Sequence, residues 1–282
     1  MSEHLPVLLV VIPLMAAPTA ALLRWGRAAW GLAMGTSWAV LAMALLILRR
    51  VQDEGVISYF LGGWAAPIGI EYRIDTVNAW VLMIVAAVGA LVMPYARASF
   101  EREIHPSKIP LLYAGLLLCL TGLLGIAATG DVFNLFVFLE ISSISAYALI
   151  AAGPDRRALH AAYKYLIMGS IGATFIVIGI GMMYAMTGTL NMADLAQRLP
   201  EVSSRTVSVA FAFLTVGISL KLALFPLHLW LLGAYTFAPS AVTVFLASTA
   251  TKVAGYRLGR FFFSIFGPGF SLEVMGFQWV LL

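Results

Sequence analysis

Apolar residues fall in long runs separated by short polar clusters, and a helix needs ~20 such residues to cross a bilayer. The pattern predicts a first span over Leu5–Leu23, broken by Pro13 and Pro18, and a second over Ala29–Leu48. The polar connection Arg49–Thr76 carries short alternating runs around a Pro/Gly turn, which predicts a small extramembrane hairpin. Further spans are predicted at Val77–Pro94, Leu111–Thr129, Val132–Ala152 and Ala158–Thr187, with charged loops at Arg97–Lys108 and Gly153–Arg157. Asp194–Arg205 reads as a polar loop with a short amphipathic stretch. A seventh span, Val207–Leu232, is interrupted at Pro226, and an eighth runs over Ala241–Phe263. Another apolar run starts near Val274. The expected fold is an all-α, polytopic transmembrane helical bundle of about eight spans with a broken seventh helix. Its expected division is an N-terminal three-helix region (1–109, hairpin at about 49–76), a five-helix unit (110–263) and the start of a further helix (264–282).

Composition supports the same class. The chain has 282 residues, of which 62% are hydrophobic and 11% charged, against ~25% charged in soluble domains. That excludes a soluble globule, a disordered tail, a collagen and a nucleic-acid binder. The net charge of +4 comes from short clusters between apolar runs, so no phosphate-tracking groove forms. Basic residues are divided almost equally between the two sets of loops, so charge bias does not fix the orientation. No Lys or Arg precedes the first run, which reads as a retained span rather than a secretory signal.

Cys119 is the only cysteine, so no internal disulfide forms. The sequence has no Cys/His cluster for zinc, iron–sulfur or c-type haem, no phosphate-binding GxxxxGK[ST] and no strand-anchored GxGxxG. Gly179 and Gly181 read as helix-packing positions, and Gly169, Gly172 and Ala173 as sites of close helix approach. No catalytic, cofactor or metal site is expected.

Nearly every charge lies in a loop or near a span end, with three exceptions: Glu140, Lys221 and Lys252. A charge at bilayer depth costs ~2.5–3.5 kcal/mol on insertion scales, so such residues pair with one another or line a water-filled path. A purely structural ion pair leaves the second lysine unexplained. Pro226, five residues past Lys221, removes the helical donor of the Leu222 carbonyl, which then needs water or a neighbouring helix. His228, seven residues past Lys221, is expected near the same face. Ser143 lies one turn past Glu140, Ser248 and Thr249 one turn before Lys252, and Tyr256 one turn after it. These hydroxyls, an imidazole and two amines facing inward are the parts of a proton wire. Burial disfavours a charged amine and a nearby carboxylate favours it, so a Lys–Glu pair is a proton switch. Arginine does not deprotonate and does not serve this role. Lys164 either joins the relay from just inside the sixth span or snorkels to the interface.

These stretches resemble a known family. Gly130-Asp131-Val132-Phe133-Asn134-Leu135-Phe136-Val137-Phe138-Leu139-Glu140 is similar to the fifth-helix motif of the proton-translocating antiporter-like membrane subunits. That family includes Mrp-type Na+/H+ antiporter subunits and the antiporter-like subunits of respiratory complex I and membrane-bound hydrogenases. Lys221–Leu231 resembles its broken seventh helix, and Ala234-Tyr235, Ala238-Pro239-Ser240 and Thr251–Tyr256 resemble the region of its eighth. The Gly62-Gly63-Trp64 and Gly69-Ile70 hairpin also fits. The wording of Ala234-Tyr235-Thr236 and Thr251-Lys252-Val253 is nearer the D-type Mrp antiporter subunits than the complex I subunits.

The resemblance implies that Glu140 and Lys221 form the pair that sets lysine basicity, that Lys252 is the central relay and that His228 supports the water wire. It implies other membrane subunits of a hetero-oligomeric antiporter or respiratory complex as partners, protons as the transported species, sodium through the complex, and a multi-pass location in the cell (inner) membrane. Three readings stay open: a multisubunit cation/proton antiporter; a redox-driven pump of the NADH dehydrogenase or hydrogenase type; and a truncated, non-transporting scaffold, against which the three intramembrane charges and Pro226 count. Family members have about fourteen helices with a second, inverted five-helix repeat. Its place would follow residue 282, so the chain is expected to be a fragment or one of two split halves.

Overall fold

The computed structural model describes residues 2–23, 25–202 and 205–276. Ten α-helices and one two-stranded hairpin make up most of this, and seven of the described helices are long and apolar enough to cross a membrane. The chain is a multi-pass membrane protein.

Helix α1 (Leu5–Leu22) runs unbroken through Pro13 and Pro18, where the sequence pattern predicts breaks. A proline in a membrane helix is tolerated when neighbouring helices pack over the disturbed turn, and Pro13 is buried here. Helix α2 (Gly26–Glu54) carries six residues of the expected polar connection. The hairpin is shorter than predicted: β1 (Ile57–Phe60) pairs antiparallel with β2 (Glu71–Ile74), with Tyr59 opposite Tyr72. Helix α3 (Thr76–Glu103) continues past Pro94 into the expected charged loop. Arg97 and Glu101, one turn apart at 3.1 Å, stabilise that extension.

Helix α4 (Ile109–Ala128) is the hub, buried along almost its whole length. Gly122 and Gly125 lie against Ser142 and Phe138 of α5 (Val132–Ala151), and a Cβ at either glycine would overlap that helix. The Asp131 side chain caps α5 by accepting from the Asn134 amide at 2.7 Å. Helix α6 (Arg157–Thr187) ends at the left-handed Gly188 and packs along α8 (Arg205–Leu222). Gly172, Gly179 and Gly217 let the two backbones approach closely, as expected for Gly172 and Gly179. Gly181, by contrast, faces open space. The predicted amphipathic stretch is the short α7 (Met192–Arg198).

The seventh span is divided rather than kinked. Helix α8 stops at Leu222, and the chain resumes as α9 (Leu229–Phe237). The break precedes the proline because Ala223 adopts a left-handed conformation with φ of 60°. The Leu220 carbonyl, not that of Leu222, takes the foreign donor: the Trp230 indole donates to it at 3.0 Å. Helix α10 (Ser240–Arg260) is long enough to span, but Lys252, Arg257 and Arg260 keep it outside the seven apolar spans. Wider helical turns follow at Phe261–Ile265 and Gly269–Val274. Residues 277–282 of the expected further helix lie outside the described residues, as does Arg24.

The hairpin is tied to the bundle by a set of polar contacts. The buried Glu71 carboxylate accepts from Ser58 and, at 2.8 Å, from Asn191. The Glu71 carbonyl accepts from the Gly130 amide, and Tyr72 bridges to Thr129. Burial pushes the Tyr72 phenol up to about 12, so it stays neutral. Arg260 binds Asp75 and Asn78, which joins the end of α10 to the start of α3.

Candidate functional site

Glu140, Ser143 and Tyr147 are spaced three and four residues apart on α5, so they share one helix face. Lys221 comes to that face from the last turn of α8, and it is 7% exposed. Its Nζ donates to Ser143 Oγ at 2.8 Å and to Tyr147 Oη at 3.3 Å. The Glu140 carboxylate stands 3.9 Å from the same nitrogen. An ammonium has three donors, so one remains to face the carboxylate. At this distance the two charges attract by about 4 kcal/mol for an effective dielectric constant near 20. No direct hydrogen bond fixes them, and the Glu140 Oε1 has no hydrogen-bond partner among the described residues. The pair is held by charge and not by a rigid fork, so either partner can turn away without breaking a bidentate bond.

Gly169 of α6 makes room for this arrangement, since a Cβ there would overlap the Tyr147 hydroxyl. The Tyr165 ring packs edge-on against Tyr147 and stacks on Trp230 at 4.0 Å. Trp230 is also the residue that caps the end of α8, so one aromatic stack fixes both the tyrosine and the helix break. A small cavity of about 50 Å³ lies beside Lys221, lined also by Ser142, Ser143, Tyr165 and Ala254. A water molecule needs roughly 10–15 Å³ on this measure, so the cavity has room for a short chain of them.

The other predicted positions are spread more widely. Lys252 faces outward from the described chain, and its Nζ donates to the Ala247 carbonyl of its own helix. The Thr249 hydroxyl is buried but bonded to the Phe245 carbonyl at 2.6 Å, which leaves it out of a side-chain wire. Ser248 is half-buried, and the Tyr256 hydroxyl is buried without a partner among the described residues. Pro226 sits inside the break. His228 stands at the start of α9 without a side-chain capping bond and does not continue the Lys221 face, because the intervening residues are not helical and the seven-residue register lapses. Its ring lies 5.6 Å from Phe225, and its Nδ1 is buried without a partner among the described residues. Lys164 is exposed on α6.

Two residues of the site escaped the sequence reading. Tyr147 was signalled by its seven-residue spacing from Glu140. Arg257 reads from the sequence as a charge near the end of the eighth span, yet it is 3% exposed inside α10. Among the described residues no cluster of metal-ligating side chains occurs.

The model of the NADH:quinone oxidoreductase/Mrp antiporter transmembrane family matches residues 129–281. The chain is 42% identical to NADH-quinone oxidoreductase subunit N of Desulforudis audaxviator over 99% of this chain and 57% of that protein. It is 34% identical to the D-type subunit of the Na(+)/H(+) antiporter of Bacillus subtilis over 78% of this chain and 44% of that protein. The solved structure of the membrane-bound sulfane sulfur reductase, an archaeal respiratory membrane complex, superposes with a TM-score of 0.85 at 32% identity, covering 91% of this chain and 53% of the other. The chain thus spans about half the length of the curated relatives it matches. The match takes in the loop before α5, α5 itself and everything through α10, which includes Glu140, Lys221 and Lys252. The chain belongs to the NADH:quinone oxidoreductase/Mrp antiporter transmembrane family.

Proposed function

We propose that this chain is a proton-translocating membrane subunit of a multisubunit monovalent cation/proton antiporter. The observation that carries the reading is Lys221, buried between two membrane helices and 3.9 Å from Glu140. With Glu140 close, the amine holds its proton; with Glu140 withdrawn, burial favours release into the cavity beside it. Glu140 and Lys221 are the switch, and Ser143 is the hydroxyl that positions the amine. Lys252, facing outward, is the relay to a neighbouring surface, with Ser248 and Tyr256 near it on α10. His228, Pro226, Thr249 and Lys164 have supporting places at most, and the five-helix unit 110–263 is the working part. The chain carries no redox group in this reading; its partners are other membrane subunits, and sodium crosses through the assembly.

A second reading rests on the NADH-quinone oxidoreductase subunit N relative, similar over 99% of this chain. There the same pair serves a redox-driven pump whose cofactors sit on other polypeptides. The test of the shared mechanism is exchange by the intact assembly in vesicles: Glu140→Gln and Lys221→Ala each abolish proton movement while the assembly still co-purifies. Normal exchange in both variants ends the proposal. Mass spectrometry of the native assembly separates the two readings. Membrane subunits without a redox protein support the antiporter, and iron–sulfur or flavin subunits support the redox pump.

A further inference from the structure

Two cavities meet at one side chain. The small cavity beside Lys221 ends on Arg257. A larger, open cavity of about 390 Å³ lies beneath α7 and the hairpin-side loops, lined by Arg73, Asp75, Gln197 and Arg260, and it too ends on Arg257. No other described residue lines both. The first holds the buried amine; the second is a vestibule lined mainly by polar side chains at the surface of the described chain.

The setting of Arg257 is unusual for a structural arginine. Its guanidinium donates to the Thr129 carbonyl at 3.1 Å and to the Met192 sulfur at 3.6 Å. Its Nε is buried with no partner among the described residues, and no described carboxylate lies within 4.0 Å of it. The neighbouring Arg260 has taken Asp75. A buried charge with no counter-charge in contact is costly, and a merely structural position is better filled by an apolar side chain. The thioether contact is weak, so the guanidinium is held by one firm hydrogen bond, one soft one and the face of the adjacent Tyr256 ring, 5.1 Å away. A guanidinium also keeps its proton, so it does not pass one on; it repels hydronium and metal cations at a narrow point.

We propose that Arg257 is the gate of a water route between the hairpin-side vestibule and Lys221. In the arrangement described, the guanidinium closes the seam. When it swings into the vestibule, toward Asp75, the two cavities join and a proton moves between vestibule water and the Lys221 amine. Its fixed charge keeps metal cations out of the amine cavity in either position. The proposal rests on the reading of Lys221 as a proton carrier, and it adds the place where protons reach that lysine.

The test uses the intact assembly in vesicles, with a potassium diffusion potential and a trapped pH dye. Arg257→Met raises passive proton leak several-fold, and Arg257→Lys, which keeps the charge, leaves it low. Adding Lys221→Ala to Arg257→Met returns the leak to background. No rise in Arg257→Met, or a rise that persists without Lys221, overturns the gate. Arg257→Gln, which keeps a donor for Thr129 but drops the charge, replaces Arg257→Met if the latter fails to assemble. A second readout is independent of transport. In a Cys119→Ala background, Ala254→Cys lines the inner cavity. A membrane-impermeant maleimide added on the hairpin side labels it rapidly only when Arg257 is replaced. Equal labelling with and without Arg257 overturns the gate. If Lys221→Ala leaves exchange intact, the proton-carrier reading fails, and the labelling arm still reports whether Arg257 seals the cavity.

Discussion

Lys221 and Lys252 look alike in the sequence: each is a solitary amine in an apolar run with hydroxyls nearby. The fold treats them in opposite ways. Lys221 is buried and has two hydroxyl acceptors and a carboxylate at 3.9 Å. Lys252 faces outward and has folded back onto a carbonyl of its own helix. The buried stripe of α10 runs through Val242, Phe245, Leu246, Thr249, Val253 and Arg257, and Lys252 falls beside it. Within this chain one lysine is the centre of a site, and the other is an available charge on a surface. Two lysines of the same type thus stand in different surroundings: the first is enclosed by this chain's own helices, and the second lies on the surface of the described chain.

The sharpest way to break that comparison is to keep both charges and remove only the ability to deprotonate. Lys221→Arg preserves the attraction to Glu140 but does not release a proton at any accessible pH. Proton translocation by the assembly is expected to vanish while the subunits still co-purify. If the Lys221→Arg assembly keeps its activity, the pair is a static brace and the contrast with Lys252 loses its meaning.

Accessibility separates the two lysines directly. In a Cys119→Ala background, a cysteine introduced by Lys252→Cys is expected to react readily with a small maleimide in the detergent-solubilised chain. One introduced by Lys221→Cys is expected to stay unmodified until the protein is unfolded. Similar labelling rates at the two positions contradict the burial contrast.

The spans themselves were legible because bilayer depth forces long apolar runs, and the two charges that pair, Glu140 and Lys221, stood out as costly exceptions to that rule. Prolines lie inside α1 and α3 without ending them: the sequence shows the missing amide of Pro13 but not its burial in the bundle, and α3 continues through Pro94 even though that residue is exposed. At the seventh span the reverse held. The break was legible from Pro226, yet its extent depends on Ala223 turning left-handed and on Trp230 reaching the Leu220 carbonyl, which is a tertiary contact. His228 lost its expected register for that reason. Arg257 stayed hidden because an arginine near the end of a helix, followed by Arg260, reads as an interfacial charge. Only the packing of α10 against α8 and the Thr129 loop buries it.

The α6 face of the site offers a finer test. Gly169→Ala puts a methyl group where the Tyr147 hydroxyl now lies. Overpacking of this kind costs about 1–3 kcal/mol. The tyrosine must move, and Lys221 loses one of its two hydroxyl acceptors. Reduced thermal stability and reduced transport are expected together. The equivalent substitution at Gly181, which faces open space, is expected to leave both unchanged.

The smallest effect is expected from Tyr147→Phe, and it is informative because it interacts with the previous one. The Lys221–Tyr147 bond is the longer of the two, at 3.3 Å against 2.8 Å for Ser143. Losing it costs about 1 kcal/mol, and the aromatic face, 5.8 Å from the amine, remains. Transport is expected to fall only modestly. The same change removes the atom that Gly169→Ala would strike first. Combined in one chain, the two substitutions are expected to be less damaging than the sum of their separate effects, since neighbours that share a contact are not additive. A double-mutant cycle on thermal stability measures this. A strictly additive result means that Gly169 is not what makes room for the tyrosine hydroxyl, and that the α6 face takes no part in holding Lys221.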